Sequence, residues 1–193
     1  MKPNLKELKK DDWNTLFPIE LSEHNPQWKT IFEEEKQRIL SGVGDNTVWR
    51  IEHFGSSSIP LIKAKPYIDI LIEIPQELLF DDKLIQQFEN LDYTYFKVPE
   101  RDNIAAYMSF GKGYNLKGEK EQIFHIHMCD RNNVMWQQIK FRDYLRVNHE
   151  KAKEYESLKI RLAEEFRNDR GAYLLGKASF INETMDLIRS AQP

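Results

Sequence analysis

The sequence predicts an α+β protein in which a mixed β-sheet is flanked by helices and followed by a C-terminal helical extension. Its apolar periodicity runs in the order helix, strand, strand, helix, two or three strands, and then a long helical region. No internal repeat or flexible linker interrupts this order, which favours one mixed domain with a packed extension over two independent domains. A chain of 193 residues is long enough for such a domain to bury a sizeable core.

Composition and charge exclude several classes of protein. Hydrophobic residues make up 40% of the chain and aromatic residues 12%, with only 8 Gly and 8 Pro, unlike disordered or low-complexity chains. A net charge of -3 argues against general nucleic-acid binding, which needs many Lys and Arg contacts to phosphate. No apolar run reaches the roughly 18 to 20 residues of a membrane span, and the first residues lack the apolar core of a signal peptide. The sequence therefore predicts a cytoplasmic protein without membrane association, and it leaves the oligomeric state open.

The N-terminal part is predicted to contain a lead-in segment and then the first long helix. Residues 1–24 form the lead-in, with a short helix over residues 5–10, and residues 25–193 form the main domain. Asn25 followed by Pro26 predicts the start of the long helix, because a capping side chain and a proline suit the first helical positions. The glycines that end this helix are Gly42 and Gly44.

The segment YIDILIEI, residues 67–74, has the strict alternation of a β-strand. One face carries Ile68, Ile70, Ile72 and Ile74, and the other carries Tyr67, Asp69, Leu71 and Glu73. A face of four isoleucines belongs in a hydrophobic core. The two carboxylates of the opposite face, on Asp69 and Glu73, are about 13 Å apart at roughly 3.3 Å per residue.

The other elements follow from periodicity and from turn residues. The predicted strands lie over residues 48–54, 93–98, 105–111 and 122–128, with the GKGYNLKGEK stretch as a hairpin loop between the last two. The predicted helices lie over residues 81–91, 133–146, 150–167 and 171–190. The last three of these helices form a helical tail over residues 134–190.

The densest chemical signal lies in the stretch EHFGSSSIPLIKAKPYIDILIEI, residues 52–74. A strand leads into a Gly-Ser turn whose backbone N–H groups and hydroxyls can bind an oxyanion, and a second strand then presents Asp69. Gly55 lets the backbone approach a ligand, while Ser56 and Ser57 offer hydroxyl donors. Lys65 adds positive charge near the same turn. This arrangement suits a phosphate group together with Mg²⁺.

This stretch resembles the GrpB family of bacterial proteins. The family pattern E-H-x-G-S-[TS]-[SA]-[VI]-P, followed by A-K-P-x-[IV]-D-[IV], corresponds to residues 52–60 and 64–70. Later matches are an H-x-H strand at His125-Ile126-His127, the run F-R-D-Y-L-R at residues 141–146, and then Tyr155, Lys159, Tyr173, Lys177 and Phe180. The resemblance covers the chain from about Trp28 to Ile188.

The resemblance implies a nucleotidyltransferase-like fold and site. The pattern of that superfamily is Gly-Ser, then Asp-x-[Asp/Glu], then a third carboxylate on a later strand. On this basis the protein is expected to bind a nucleotide or another small phosphorylated molecule at the Gly55-Ser56 loop, with Asp69 as catalytic residue and metal ligand. Arg142 is a further phosphate ligand, because a guanidinium presents a fork that suits phosphate. The expected cofactor is Mg²⁺ or Mn²⁺, with Zn²⁺ less expected.

Three departures from the active pattern bear on function. The second metal carboxylate is replaced by Leu71, which removes a ligand and its charge from a two-metal site. His125 and His127 stand where a carboxylate is expected, and imidazole suits Zn, Mn, Fe or Ni better than Mg²⁺. Leu61 replaces the usual Gly in the loop itself.

These departures keep three functions open. The first is a metal-dependent nucleotidyltransferase with weak or altered activity, and the second is a noncatalytic nucleotide-binding or accessory domain with a degenerate metal site. The third is a hydrolase that uses a metal ion bound to Asp69, His125 and His127. Each candidate residue also has a structural interpretation: the two histidines as hydrogen-bonded strand residues, Lys65 as a solvated residue, and Arg142 as one partner of a surface ion pair.

Overall fold

The computed structural model describes residues 5–44, 46–101, 103–115 and 121–191. It contains a single five-stranded sheet within these ranges, with the strand order β1-β2-β5-β4-β3. The strands are β1 (Arg50–Phe54), β2 (Tyr67–Glu73), β3 (Thr94–Val98), β4 (Tyr107–Lys112) and β5 (Ile123–Cys129). The helices are α1 (Lys10–Leu16), α2 (Trp28–Val43), α3 (Asp82–Asn90), α4 (Gln137–Val147), α5 (His149–Glu165), α6 (Arg170–Leu175) and α7 (Ala178–Ser190). The predicted α+β class, a mixed sheet flanked by helices with a helical extension, is confirmed.

The central pair of strands, β2 and β5, determines where the site lies. These two strands are parallel, whereas the pairs β1-β2, β4-β5 and β3-β4 are antiparallel. The parallel register sets Asp69 beside His125 and Leu71 beside His127. Motifs more than fifty residues apart in the chain are therefore neighbours in the sheet.

The main core lies on the face of the sheet that the four isoleucines of β2 form. All four are fully buried, as the alternation predicts, and they pack with residues of α2 and α3 such as Ile39 and Phe88. Burial of each such side chain contributes about 1.5–3 kcal/mol of hydrophobic free energy. The opposite face of β2 carries Asp69 and Leu71, and Leu71 packs against Ile139 of α4 in the helical extension.

The helical extension packs against the loop between β1 and β2. Ile59 and Ile62 of that loop share a core with residues of α4, α5 and α7. Three side chains of α5 also hold the loop backbone: Lys153 donates to the carbonyl of Leu61, Glu156 accepts from the N–H of Lys63, and Lys159 donates to the carbonyl of Lys63. The path of the loop thus depends on the extension.

Two helix predictions for the ends of the chain are corrected by the structure. Residues 5–10 do not form one helix, since a 3₁₀ turn at Leu5–Glu7 is followed by α1, which starts after Lys9. The N–H of Lys9 donates to the Asp12 carboxylate at 2.8 Å, and this capping contact fixes the later start. The predicted helix over residues 171–190 is divided into α6 and α7.

The break between α6 and α7 and the bounds of α2 have local causes. A Cβ on Gly176 would lie 2.5 Å from a methyl group of Leu162, so the chain turns where α6 meets α5. The helix predicted to begin at Pro26 starts two residues later, and Gly42 lies inside it. Gly44 ends this helix with a φ of 83°, a conformation that favours glycine.

Within the described residues no helix is both long and apolar enough to cross a membrane. The predicted cytoplasmic location stays a prediction, as do the domain limits at residues 24 and 25. Half of the hairpin loop predicted before β5, residues 116–120, lies outside the described ranges.

Leu61 has a φ of 66°, in the left-handed region that disfavours side chains, and it is 68% exposed. We expect Leu61→Gly to raise the free energy of unfolding by about 0.5–1 kcal/mol, because relief of backbone strain exceeds the added chain entropy. Thermal or urea denaturation measures this change. The matched control is Leu175→Gly in α6, at a residue that is 77% exposed. This control should lower the free energy of unfolding by about 1 kcal/mol. A change of the same sign in both variants would refute the backbone strain at Leu61.

Candidate functional site

Asp69, His125 and His127 form a compact group of potential metal ligands on the polar face of β2 and β5. One ligand atom from each lies within 4.8 Å of the others. His125 Nδ1 lies 3.7 Å from Asp69 Oδ1, and the other ring nitrogen of His125 lies 3.1 Å from Ser109 Oγ on β4. A metal-ligating imidazole commonly has such a hydrogen-bond partner on its second nitrogen. A carboxylate and two imidazoles are a donor set that a single divalent ion can use.

The imidazole of His127 lies between two aromatic rings. Its centroid is 5.3 Å from that of Phe54 and 5.5 Å from that of Tyr107. Burial, together with the charge of His125, lowers the pKa of His127 to about 3, so the ring is neutral, as metal ligation requires. Its Nδ1 is buried and has no hydrogen-bond partner in the part of the chain that the structure describes. A buried polar atom without a partner is costly, and a bound ion would satisfy it.

The loop that follows β1 comes into direct contact with Asp69. Gly55 has a φ of 70°, and a Cβ at this position would lie 2.3 Å from Asp69 Oδ2. Glycine is therefore required both by backbone conformation and by space. This contact places the N-terminal end of the Ser56–Ser58 turn against the carboxylate, as the sequence predicts for a phosphate-type loop.

The serines of the turn have different surroundings. Ser56 and Tyr155 of α5 line the same small cavity, and burial raises the pKa of the Tyr155 phenol to about 12. Ser57 Oγ instead lies 3.0 Å from His53 Nε2. Ser56 therefore lies next to α5, whereas Ser57 is engaged with β1.

Two partly buried lysines, Lys65 and Lys177, lie in the field of Asp69. Burial and the charge of Arg170 lower the pKa of Lys65 to about 7, and burial lowers the pKa of Lys177 to about 8. Burial raises the pKa of Asp69, but its contact with His125 and the charge of Lys65 outweigh this effect, and the net pKa is lowered. Neither ammonium group has a carboxylate within 4.0 Å among the residues that the structure describes. The two lysines are therefore available to an anion.

Arg170, at the start of α6, completes the positive side of the site. Its guanidinium donates to the carbonyl of Phe17 at 3.4 Å, and its charge acts on Lys65, Tyr67 and Tyr114. Burial raises the pKa of both phenols, which therefore remain neutral. Lys65 and Lys177 thus face one carboxylate, and Arg170 adds positive charge next to Lys65.

Leu71 leaves no room for a second metal carboxylate. Its side chain is fully buried in an apolar cluster with Phe54, Cys129 and Ile139. The position two residues after Asp69 is therefore part of the packing between the sheet and α4. Among the described residues, the candidate metal site therefore contains a single carboxylate, that of Asp69, as the sequence predicts.

Arg142 is not brought together with Asp69. Its Nη1 donates to Glu52 Oε2 at 2.8 Å and to the carbonyl of His53 at 2.7 Å, and its Nε donates to Asp143 Oδ1 at 2.7 Å. These contacts tie α4 to β1. Arg142 thus lies beside the loop, where it lines small cavities together with Ser56 and Ser57, whereas Lys65 lies in the field of Asp69.

Comparison with known proteins identifies the family. A family model described as "GrpB protein" matches residues 18–187. The chain belongs to the GrpB family. A GrpB crystal structure from Enterococcus faecalis has a TM-score of 0.70 and 27% identity, and the match covers 88% of this chain and 96% of that one.

Two curated GrpB relatives differ in length. The "Glutamate-rich protein GrpB" of Alkalihalophilus pseudofirmus is 34% identical over 169 residues, covering 84% of this chain and 91% of that protein. The "UPF0157 protein YqkA" of Bacillus subtilis is 34% identical over 170 residues, covering 86% of this chain. The match takes up only 47% of YqkA, so this chain spans about half the length of that relative.

Ser109 and Arg170 belong to this GrpB site, but the sequence did not predict them as site residues. Ser109 lies within a strand and belongs to no motif, and Arg170 follows Asp169, whose pattern predicts only a helix cap. The capping pattern of Asp169 does locate the start of α6, but it does not show which way the next side chain points. The signal for Lys177 was its recurrence in the GrpB pattern.

His53 makes the stability of this GrpB protein depend on pH. Burial lowers the pKa of His53 from 6.5 to about 4, so the unfolded chain binds a proton at a higher pH than the folded chain does. We therefore expect the free energy of unfolding to fall as pH drops from 6.5 towards 4, by about 3 kcal/mol from this group. Urea denaturation across this range measures the loss, and His53→Gln should show a shallower decline. An unchanged slope in the variant would contradict this assignment.

Proposed function

We propose that this GrpB protein binds a small phosphorylated molecule, such as a nucleotide, together with one divalent metal ion. The ion is held by Asp69, His125 and His127, and the phosphates by the Gly55-Ser56 loop and the surrounding cations. The observation that carries this proposal is the position of Lys65 and Lys177, which have no carboxylate partner among the described residues, around a carboxylate with two imidazoles. A metal ion is complementary to the negative charge of the carboxylate, and phosphates are complementary to the positive charge of the lysines.

The donor set favours a metal that accepts imidazole. Mg²⁺ prefers oxygen ligands in near-ideal octahedral geometry, whereas Mn²⁺ and Zn²⁺ bind well to one carboxylate and two imidazoles. When bound, the ion would stabilise negative charge on a phosphoryl oxygen. The chain itself contributes anion binding by Lys65, Lys177 and Arg170, and it fixes the approach of the loop through Gly55.

The reaction that suits these groups is transfer of a nucleotidyl group to an acceptor. In such a transfer the acceptor oxygen forms a bond to the α-phosphorus of a nucleoside triphosphate and pyrophosphate leaves. The buried Leu71 favours a second function, in which the ligand is bound without turnover, because a two-metal mechanism lacks one of its carboxylates.

Calorimetric titration of the metal-free protein tests both functions. We expect Mn²⁺ and Zn²⁺ to bind at one site per chain, at least about tenfold more tightly than Mg²⁺. ATP should then bind more tightly with Mn²⁺ than without it. Lack of binding of every metal, or an equal affinity for Mg²⁺, would refute the metal site.

Turnover separates the two functions. Release of pyrophosphate from ATP, followed by phosphorus NMR in the presence of candidate acceptors, supports nucleotidyl transfer. Binding of Mn²⁺ and ATP without any product supports the noncatalytic function. Release of inorganic phosphate from simple phosphate esters would instead favour a metal-dependent hydrolase.

A further inference from the structure

A second polar cleft lies beside β1, at the edge of the sheet, and Asp69 does not line it. Side chains alternate along a strand, so His53, which pairs with Ile70, points to the isoleucine face and not to the face of Asp69. The cleft next to His53 has a volume of about 500 Å³, which is within the usual range for small-molecule sites. Neither Asp69 nor the lysines around it line this cleft.

Both acidic side chains of the cleft already have cationic partners. Glu52 accepts from Arg142 at 2.8 Å and from Arg50 at 3.0 Å, and Glu33 lies 4.0 Å from Lys36. Their negative charge is therefore largely compensated within the protein.

The basic side chains of the cleft are compensated less. Lys29, on α2, has no carboxylate partner in the part of the chain that the structure describes. Arg146, on α4, lies 3.4 Å from Asp143, but that carboxylate is closer to Arg142, at 2.7 Å. Burial and the charge of Arg142 lower the pKa of Arg146, while Asp143 and Glu52 oppose this change.

The remaining walls suit an organic ligand. Pro26, Phe32 and Pro60 provide apolar surface, and Phe32 is held in place by stacking on His53 at 5.0 Å. The ring of His24 also lines the cleft, and burial lowers the pKa of His24. A few cationic groups on a partly apolar wall are the usual composition of a site for a small organic anion.

We propose that this cleft binds a small organic anion whose phosphate or carboxylate group contacts Lys29 and Arg146 and whose apolar part contacts Phe32. The residues that line this cleft differ from the proposed metal ligands, and binding of the anion does not require a bound metal ion. The two sites share the Ser56–Ser58 turn, because Ser57 and Ser58 line the cleft and Gly55 contacts Asp69.

NMR titration of the ¹⁵N-labelled protein with phenyl phosphate and with benzoate, in the presence of EDTA, tests this proposal. We expect saturable shifts at residues of the cleft, with a dissociation constant of about 1 mM for at least one probe. The probe that binds more tightly shows whether the cleft prefers a phosphate or a carboxylate group. Absence of saturable shifts with both probes, or shifts centred on Lys65 and Lys177, would overturn the proposal.

Two substitutions in the cleft and two controls sharpen the test. Lys29→Gln should weaken binding about three- to tenfold, and Lys29→Glu should weaken it further. Lys29 is exposed, so both variants should fold. Lys140→Gln, at an exposed position of α4, is the matched charge control and should bind as the wild type does. Asp69→Asn should also bind as the wild type does, which separates this result from that of the metal site. Unchanged binding by both Lys29 variants would exclude the assigned contact.

Discussion

Asp69→Asn is expected to weaken Mn²⁺ or Zn²⁺ binding more than about 100-fold, since loss of outer-shell partners alone costs 10–100-fold at metal sites. Asp69 supplies the one carboxylate of the ligand group, and its charge also opposes the loss of protons from Lys65 and Lys177. The amide keeps the shape of the side chain but removes the charge. Calorimetry with each metal measures the effect, and ATP affinity in the presence of Mn²⁺ should fall with it.

Glu73→Gln is the matched control for this substitution. Glu73 lies on the same strand and the same face as Asp69, and its carboxylate pairs with Arg131 at 3.4 Å. It is not one of the three grouped ligands. Metal affinity in Glu73→Gln should remain within about twofold of the wild type, as its charge is remote and screened. Equal losses in both variants would mean that general charge on the strand, and not ligation by Asp69, controls metal binding.

Leu71→Asp is expected to lower the free energy of unfolding by at least about 4 kcal/mol. The substitution restores the superfamily carboxylate, but it does so at a fully buried position packed against Phe54, Cys129 and Ile139. It removes apolar contacts and buries a charge among apolar groups. Urea denaturation in EDTA measures the loss.

Leu71→Asn separates the two contributions to this loss. The two polar side chains have nearly the same size, so the difference between the variants reports the carboxylate. Added Mn²⁺ should restore stability to Leu71→Asp but not to Leu71→Asn if the new carboxylate reaches the ion. A fully stable Leu71→Asp variant in EDTA would contradict the packing described for β2 and α4.

The sequence predicted those features that depend on local patterns. The alternation of YIDILIEI identified both faces of β2, because successive side chains point to opposite sides only in an extended strand. The Gly-Ser turn was predicted from the residues between two strands and the His pair from the GrpB pattern, and the structure places both next to Asp69. The start of α1 was missed, because it depends on a backbone contact of Lys9 to Asp12 and not on apolar periodicity.

Long-range packing determined the features that the sequence did not reveal. Arg142 lies beside the phosphate loop, but its Nε and Nη1 donate to Glu52, Asp143 and the carbonyl of His53, and its role as a phosphate ligand stays a prediction. Which side of a loop a helical arginine reaches is set by how the helix crosses the sheet. Arg170 reaches the site only because α6 returns the chain to it, about one hundred residues after Asp69.

The three contacts of α5 with the loop backbone make the site in the sheet depend on the helical extension. Every ligand of the candidate metal group belongs to the sheet, yet the path of the chain from Leu61 to Lys63 is fixed by side chains of α5. A chimera that joins this sheet to another helical segment would inherit the metal ligands without the scaffold that aligns the loop with them. We therefore expect the sheet and the helical extension to be exchanged only together, whether recombination is carried out in the laboratory or occurs in evolution.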